Sequence, residues 1–444
     1  MADHVQEPAR DTPVIGEYDV VVLGGGPAGI AAAASAARCG AKTLLVERYG
    51  FLGGMGTAAG VTNFCGLHAN VHGEIRQVVH GAADDLLASM ERLGGLNAPH
   101  LIFGGKIAAQ AYDNAAFKIA ADEVVLESGA KILFHAYAAG VAMKSGAEID
   151  ALLLETKSGR RAARGRIFID CSGDADLAAS AGAPFEKSAQ LLYPTAMFRV
   201  NNVDAARAGD AWTRIPQLME EASRKGRKFP RKGPIVRPQK NPSEWRVNVT
   251  QIANAKGDAA DGTDALELSA AEIEGRRQIV DFFGFLREAV PGFERAYILE
   301  IAPQVGIRET RRVVGEYQLT EEDVLGCASF EDTIGVNGWP VEAHVKGDVI
   351  FKFVEIPASR GFNQLPYRMI VPQRIDNLLV AGRCASMTHM GQSAARVSGG
   401  CFAMGQAAGT AATLSLRAGV KPRALDVPAL QRKLREDHAY LGTD

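Results

Sequence analysis

The sequence has no cysteine pair of the kind that binds metal or carries out disulfide chemistry. Its six cysteines are scattered over 444 residues, without C-x-x-C or C-x-x-x-x-C spacing. This usage is typical of a reducing, cytoplasmic setting. We therefore expect a cytoplasmic protein with no metal site and no redox dithiol.

Long apolar runs and an excess of charge of one sign are also missing. No uninterrupted apolar run approaches the roughly 18 residues that a membrane-spanning helix needs, so we expect no membrane insertion. The N-terminal stretch lacks a basic start followed by an apolar segment, which argues against a secretory signal. Lys and Arg total 49 against 51 Asp and Glu, a net charge of −2. That balance disfavours nucleic acid as a partner.

Glycine, by contrast, is abundant. It accounts for 48 of 444 residues, about 11%, against an average usage of about 7%. The excess has neither a collagen-like period nor a low-complexity block, so it must serve particular turns. The positions of these glycines are therefore informative about function.

The first glycine cluster lies between a predicted strand and a predicted helix. Residues 18–23 read YDVVVL, a run suited to a strand buried on both faces. Gly24-x-Gly26-x-x-Gly29 follows, then an alanine-rich helix and a second strand at 42–46. In this motif the first glycine permits a tight turn, the second admits a pyrophosphate and the third allows close helix–strand packing. The pyrophosphate would lie on free N–H groups at the helix N-terminus.

Residues around this turn extend the predicted nucleotide site. Pro27 and Ala28 begin the helix, where proline is tolerated. Glu47 ends the second strand and can accept hydrogen bonds from both hydroxyls of a ribose; Arg48 follows it. A second glycine-rich stretch comes next, which a nicotinamide dinucleotide does not need and the longer FAD does. We therefore predict FAD as the cofactor, with these further contacts: Gly53, Gly54 and Thr57.

Three later segments resemble the FAD-dependent oxidoreductase family of the glutathione-reductase-type flavoproteins, which is related to the fumarate reductase flavoproteins. They are IDCSGDADLAASAGAP at 169–184, VGIRETRRVVGEYQLTEEDV at 305–324, and the segment from RIDNLLVAGR to GQAAGTAA at 374–412. With the first motif, the resemblance spans residues 18 to about 415 and is weakest over 200–295.

The resemblance implies an α/β fold. We expect a Rossmann-type FAD-binding domain, glutathione reductase-like, with an inserted α+β substrate domain. The expected boundaries are a disordered lead-in at 1–16, the FAD-binding domain at 17–184 and 346–444, and the substrate domain at 185–345. The further FAD contacts that it implies are Ala138, Gly173, Asp174, Gly382, Arg383, Gly399 and Gly400.

Gly399 and Gly400 allow two interpretations. They lie where a long small-residue helix is predicted to begin. If that N-terminus faces the flavin pyrimidine, its dipole would stabilise negative charge on the reduced flavin. Alternatively, the two glycines only allow close packing.

Candidates for substrate binding and catalysis rest on weaker signals. Arg308 and Arg312 fall on one face of a predicted strand and could hold a carboxylate, or could simply pair with nearby glutamates. A histidine beside a flavin can act as a base or acid near neutral pH, although a lone histidine is often structural. The full set of catalytic candidates is His389, His344, Arg308, Arg312 and Arg396.

One basic segment has no assigned place in this scheme. Residues 224–240 carry eight Lys and Arg and no acid. The simpler interpretation is a solvated loop. The alternative is an electropositive funnel for an anionic substrate.

Together these features predict an enzyme, an FAD-dependent dehydrogenase, oxidase or reductase. It would transfer a hydride between flavin N5 and a small polar substrate, in one version carboxylated. No second G-x-G-x-x-G follows, so electrons would pass to or from a small molecule, oxygen or a separate redox partner. Two alternatives stay open: a redox-neutral flavoenzyme such as an isomerase or lyase, and a non-catalytic flavin-fold binding protein. A homo-oligomer is a further expectation.

Overall fold

The predicted strand–turn–helix–strand motif is present in the computed structural model, which describes residues 5–443. β1 (Val14–Leu23) leads through the glycine turn into α1 (Pro27–Arg38), and β2 (Thr43–Val46) returns parallel to β1. The strand was expected to begin at Tyr18, after a disordered lead-in. It begins at Val14 because residues 14 and 16 already pair with a later strand. Residues 1–4 of the lead-in lie outside the described residues.

Short elements and then a meander complete the first part of the chain. The short elements are α2 (Met55–Ala58), β3 (Asn63–Phe64), β4 (His68–Val71), β5 (Glu74–Gln77), α3 (Ala82–Arg92), β6 (His100–Ile102), β7 (Ile107–Ala111) and α4 (Asn114–Glu127). The meander and the helix after it are β8 (Lys131–Leu133), β9 (Ala136–Ser145), β10 (Glu148–Thr156), β11 (Gly159–Asp170) and α5 (Asp176–Ser180).

The remaining elements alternate between short strands and helices of very different length. Those of the middle region are β12 (Phe185–Lys187), β13 (Phe198–Asn201), α6 (Ala205–Ala208), α7 (Ala211–Arg224), β14 (Ile235–Pro238), β15 (Trp245–Asn248), α8 (Ala265–Ala289), β16 (Tyr297–Ile301), β17 (Arg311–Val313), α9 (Glu321–Leu325), β18 (Thr333–Asn337) and β19 (Val341–Val345). Those of the C-terminal region are β20 (Asp348–Lys352), β21 (Asn363–Pro366), β22 (Leu378–Val380), α10 (His389–Ala395), α11 (Ser398–Ala418) and α12 (Val427–Glu436).

The largest sheet has a parallel core. Its strand order is β8-β2-β1-β11-β10-β9, and β22 also pairs with β11. β8, β2, β1, β11 and β22 run parallel, whereas the β9–β10 hairpin is antiparallel. The turns after the parallel strands therefore meet at one edge, where open α/β sheets bind ligands. The prediction of a mixed α/β protein built on a Rossmann-like parallel sheet is confirmed.

Helices α1 and α11 approach each other at backbone contact distance. A Cβ atom added to Gly405 would lie 2.1 Å from the Ala28 carbonyl oxygen, and one added to Gly409 would lie 2.1 Å from that of Ala32. Because residues four apart share a helix face, the two glycines form one continuous contact. Packing therefore explains these glycines. Although α11 is long, no helix within residues 5–443 has the length and apolar character needed to cross a bilayer.

A second hydrophobic cluster forms between residues 196 and 307. Helices α7 and α8 pack there on an antiparallel sheet with the order β14-β15-β13-β16, which we call the inserted sheet. Val313, Ile334 and Val341 belong instead to the first cluster, with the parallel sheet. The domain boundaries at 185 and 345 stay a prediction.

Candidate active site

A cavity of about 1010 Å³ lies at the carboxyl edge of the parallel sheet. Known ligand pockets measure about 300–1,000 Å³, so this one is at the upper end. One part of its wall comes from the glycine turn, Glu47, Arg48 and residues 171–173. Another part comes from the inserted sheet and the residues beside it, at 233–235, 237–239, 246 and 248. The cavity thus joins the nucleotide-type sheet to the inserted sheet.

Most residues assigned to the cofactor from sequence line this cavity. They are Gly24, Gly26, Pro27, Ala28, Glu47, Arg48, Gly54, Ala138, Gly173, Gly382 and Arg383. The wall does not include the following predicted contacts: Gly29, Gly53, Thr57, Asp174, Gly399 and Gly400.

The three glycines of the first motif have different physical roles. Gly24 has a φ of +98°, and its Cβ would lie 2.4 Å from the Cys171 carbonyl oxygen. A Cβ on Gly29 would lie 1.8 Å from the Gly24 carbonyl oxygen. At Gly26, by contrast, the Gly54 Cα, at 3.6 Å, is the only described atom beyond the chain neighbours within 4 Å of an added Cβ. Gly24 and Gly29 shape the turn, and Gly26 leaves open the space that a pyrophosphate would fill.

The Glu47 carboxylate is held in place by backbone donors. Its Oε2 accepts a hydrogen bond of 2.7 Å from the Gly25 N–H, and Oε1 accepts one of 2.9 Å from the Tyr49 N–H. Each oxygen keeps a further lone pair for a ribose hydroxyl. A helix N-terminus beside a fixed, buried carboxylate is the donor and acceptor set that a dinucleotide needs, so these residues fit FAD.

Several predicted cofactor residues lie just behind the wall and support it. Asp174 accepts a 2.8 Å hydrogen bond from Arg383, whose Nε donates to the Gly173 carbonyl oxygen at 2.9 Å. Thr57 donates to the Leu52 carbonyl oxygen at 2.7 Å, and its methyl group leaves no room for a Cβ on Gly53. These residues shape the surface on which the cofactor would lie.

Gly399 and Gly400 match the packing interpretation. A Cβ on Gly399 would lie 2.0 Å from the Gly66 carbonyl oxygen, and one on Gly400 would lie 2.4 Å from that of Ala395. Both glycines are buried against protein backbone, while Ser398, one residue earlier, lines the cavity. The close approach is therefore between segments of this chain.

His389 and Arg312 belong to an ionic cluster outside the cavity wall. His389 Nδ1 lies 2.9 Å from Glu309 Oε1 and 3.2 Å from the Ser188 hydroxyl, and Arg312 pairs with the same glutamate. Burial opposes the charge of Glu309, but the hydrogen bond from His389 keeps its pKa below the usual value. The expectation that Arg308 and Arg312 share one strand face is wrong. β17 begins only at Arg311, and buried Glu309 holds Arg312 away from the cavity.

His344 also lies behind the wall, where it supports a glutamate that the sequence did not single out. Burial, reinforced by the charge of Arg308, lowers the pKa of His344 to about 3, so its imidazole is neutral. Its Nε2 lies 2.8 Å from Glu342 Oε1, and the Trp339 indole donates to Oε2 at 2.8 Å. Glu342 itself lines the cavity. Despite its burial, the His344 hydrogen bond and the charges of Arg396 and Arg308 lower its pKa to about 2.

Four arginines line the cavity beyond the predicted nucleotide site: Arg237, Arg246, Arg308 and Arg396. Within residues 5–443, none of them has an Asp or Glu oxygen within 4.0 Å. Arg308 donates to the Tyr193 carbonyl oxygen at 3.0 Å and to the Thr195 hydroxyl at 2.8 Å, and burial lowers its pKa to about 9. The buried Nε of Arg396 has no hydrogen-bond partner among residues 5–443. This part of the wall therefore carries four guanidinium groups against one carboxylate, that of Glu342, and none of the four is in a salt bridge with a described residue.

Sequence reasoning missed His100, Arg237, Arg246 and Glu342. Arg237 lies in the basic segment at 224–240, for which a funnel was one of two interpretations, but only this one of its cations reaches the cavity wall. His100 is surrounded by the same charges. Burial, then Arg246 and Arg237, lower its pKa, so it is neutral at pH 7 and can accept a proton.

We expect the variant His389→Ala to lose thermal stability but to keep its flavin and its rate of flavin reduction. The side chain holds buried Glu309 and makes no part of the cavity wall. The expected loss is about 1 kcal/mol, the value of one hydrogen bond to a partly compensated group. Calorimetry and anaerobic stopped-flow spectroscopy measure the two quantities. Slow reduction with full flavin content and an unchanged melting temperature would instead make His389 catalytic.

Comparisons with known proteins show the family of the chain. The model of the family described as "FAD dependent oxidoreductase" matches residues 19–434. A 45-residue segment is 57% identical to dihydrolipoyl dehydrogenase of Trypanosoma brucei brucei, covering 10% of this chain and only 9% of that protein.

Two solved structures can be superposed over most of the chain. The geranylgeranyl bacteriochlorophyll reductase-like protein of Thermoplasma acidophilum is 14% identical, with 96% of this chain and 84% of that chain covered and a TM-score of 0.49. For p-nitrophenol 4-monooxygenase of Pseudomonas putida the values are 12%, 93%, 84% and 0.46.

Proposed function

The chain belongs to the family of FAD-dependent oxidoreductases, and on that premise we propose that it oxidises or reduces a small organic anion in the cavity described above. FAD is its cofactor. When bound, FAD supplies the two-electron chemistry, with N5 as the atom that exchanges a hydride with the substrate. The chain's own residues must hold the cofactor, orient the substrate and manage the proton.

The residues that would hold FAD are those of the carboxyl edge. The open space at Gly26 and the N-terminus of α1 would take the pyrophosphate. Glu47, with its oxygens fixed by two backbone N–H groups, would accept hydrogen bonds from the ribose. Arg383, which forms a salt bridge with Asp174, would support the part of the cofactor beyond the pyrophosphate.

The observation that carries the proposal is that neither Arg308 nor Arg396 has a salt-bridge partner among the described residues, and that both share the single cavity carboxylate of Glu342. Buried guanidinium groups without a carboxylate partner are costly, so a fold that keeps them there is best explained by an anionic ligand. Arg308 is fixed by Tyr193 and Thr195, and its Nη1 makes no hydrogen bond to any residue that the structure describes. A carboxylate on the substrate would meet two guanidinium groups that are already oriented.

A side chain that lines the same cavity would transfer the proton. Glu342 is ionised, and its hydrogen bonds with His344 and Trp339 hold its carboxylate in place. Its negative charge therefore acts on Arg308 and Arg396 from a fixed position. His100 is neutral and lines the cavity. We therefore assign proton transfer to His100 in place of His344 or His389.

Several finer expectations remain part of this proposal. They are the glutathione-reductase-type arrangement, the relation to fumarate reductase flavoproteins and an inserted substrate domain at 185–345. The second hydrophobic cluster supports the last of these. A cytoplasmic setting is supported by six cysteines that are all free in the structure. The electron acceptor would be a small molecule, oxygen or a separate redox protein.

A panel of organic acids, alcohols and amines tests the proposal. The FAD-loaded protein is mixed with each compound under anaerobic conditions, and the visible flavin absorbance is followed. Loss of that absorbance with an organic acid is the expected result. A compound that is converted while the flavin stays oxidised throughout would establish the redox-neutral alternative and overturn the proposal.

A further inference from the structure

Three arginines stand side by side across the inserted sheet. Arg237 in β14 is directly opposite Arg246 in β15, and Arg246 is directly opposite Arg199 in β13. Directly opposite residues of antiparallel strands point to the same face of the sheet. Like charges in that position destabilise a sheet, so each arginine needs a compensating anion.

The chain compensates only one of the three. Arg199 pairs with Glu244 at 2.6 Å and donates from Nε to Glu300 at 2.9 Å. Arg237 and Arg246 each donate to one backbone carbonyl, that of Val236 at 2.9 Å and that of Val61 at 2.8 Å. Among the described residues, no carboxylate lies within salt-bridge distance of either. Both line the cavity, so a ligand there can reach them.

A neighbouring arginine shows what a structural role in this segment looks like. Arg231 is buried, and its guanidinium donates to the carbonyl oxygens of Thr250, Lys232, Gly233 and Asn248 and to the Asn248 side chain. Its hydrogen-bonding capacity is used within the protein. Arg237 has no comparable set of acceptors, although the Trp212 ring lies 5.9 Å from its guanidinium carbon.

The other groups around the pair leave its charge unbalanced. His100 is neutral, and the charge of Glu342, which acts on Arg246, is shared with Arg308 and Arg396, so one carboxylate faces more than one guanidinium group. Apolar side chains line other parts of the same cavity, among them those of Phe64, Met197 and Trp339.

We propose that Arg237 and Arg246 form a second anion subsite, which binds a second oxyanion of the substrate. The substrate class is then an organic molecule that carries two acidic groups on an apolar body. This inference rests on the proposed function, because it takes Arg308 and Arg396 as the first anion subsite. The oxyanion at the second subsite is a carboxylate or a phosphate-type group, which share the same recognition by guanidinium.

Three sets of probes test the subsite on the FAD-loaded protein. They are straight-chain monocarboxylates, dicarboxylates and ω-phosphonocarboxylates of six to ten carbons. Binding is measured from the change in the flavin spectrum. For the best chain length, we expect a second acidic group to tighten binding at least about tenfold, the value of a charge-assisted hydrogen bond. The second acidic group that gives the larger gain in affinity, carboxylate or phosphonate, identifies the oxyanion that the subsite binds.

Paired variants separate the subsite from a general charge effect. Arg237→Gln with Arg246→Gln should abolish the gain, so that dicarboxylates bind no more tightly than monocarboxylates of the same length. The control is Lys228→Gln with Lys232→Gln, which removes two exposed charges from the same basic segment and should keep the gain. The arginine variant should melt no lower than the wild type, because like charges are removed. A purely structural pair predicts a lower melting temperature.

The outcomes also separate this inference from the proposed function. If monocarboxylates bind but a second acidic group adds nothing at any length, the second subsite is wrong and the role of Arg308 and Arg396 stands. If none of the probes binds, both are overturned.

Discussion

We expect the variant Gly26→Val to fold and to be purified without FAD. A Cβ at this position meets only the Gly54 Cα, at 3.6 Å, among the described atoms outside the neighbouring residues. The valine methyl groups would therefore occupy the space reserved for the pyrophosphate without disturbing the protein core. Flavin content per chain, measured by absorbance after gel filtration, should fall at least about tenfold, since the phosphate contacts at the helix N-terminus are lost.

The matched control is Gly146→Val. Gly146 lies in the exposed turn between β9 and β10, has no unusual φ, and has no atom within 4 Å of an added Cβ. This variant should keep its full flavin content. If Gly26→Val keeps its full flavin content, with the fold intact by circular dichroism, the pyrophosphate does not bind at this turn.

Arg396→Gln should slow flavin reduction by about 100-fold, because removing one partner of a desolvated charge pair costs about 2–5 kcal/mol. Arg396 lines the cavity. Within the described part of the chain its Nε has no partner, and its side chain makes one hydrogen bond, of 3.4 Å, to the Glu342 carbonyl oxygen. The substrate is the compound found by the anaerobic panel. Stopped-flow measurements over a range of concentrations separate weaker binding from a slower chemical step.

The control for this variant is Arg312→Gln. Arg312 belongs to the same family-like segment as Arg308, but its charge is taken up by Glu309 outside the cavity. Its loss should lower the melting temperature and leave the reduction rate nearly unchanged. Equal slowing in both variants would mean that neither arginine acts through the substrate.

Structural features that depend on residues close together in the chain could be predicted from the sequence. The strand, glycine turn and helix around Gly24, Gly26 and Gly29 follow one another along the chain, so spacing alone identifies them. Glu47 ends a strand that must lie beside the first. Gly173 and Gly382 were predicted from the family resemblance, and the structure places both at the cavity edge, just after strands of the parallel sheet.

The substrate end could not be predicted, because it depends on contacts between distant segments. Whether Arg308 or Arg312 faces the cavity is decided by where β17 begins and by the burial of Glu309. The pair of Arg237 and Arg246 exists only through the register of β14 and β15. No local pattern in the sequence carries that register.

Glycine counts were also ambiguous between cofactor contact and packing. Gly26 faces an open cavity, whereas Gly399, Gly405 and Gly409 each have a backbone oxygen about 2 Å from the position of an added Cβ. Cofactor contact and backbone packing both leave no room for a side chain, so both appear in the sequence as glycine. Only the identity of the neighbouring atom separates them.

We propose that the enzyme recognises its substrate by the negative charge of the substrate. The most direct test compares anaerobic flavin reduction by the active organic acid with reduction by its methyl ester, at equal concentrations. We predict that the acid reduces the flavin and that the ester does so at least about 100-fold more slowly, because Arg308 and Arg396 then face a neutral group. Equal rates for acid and ester would contradict the account.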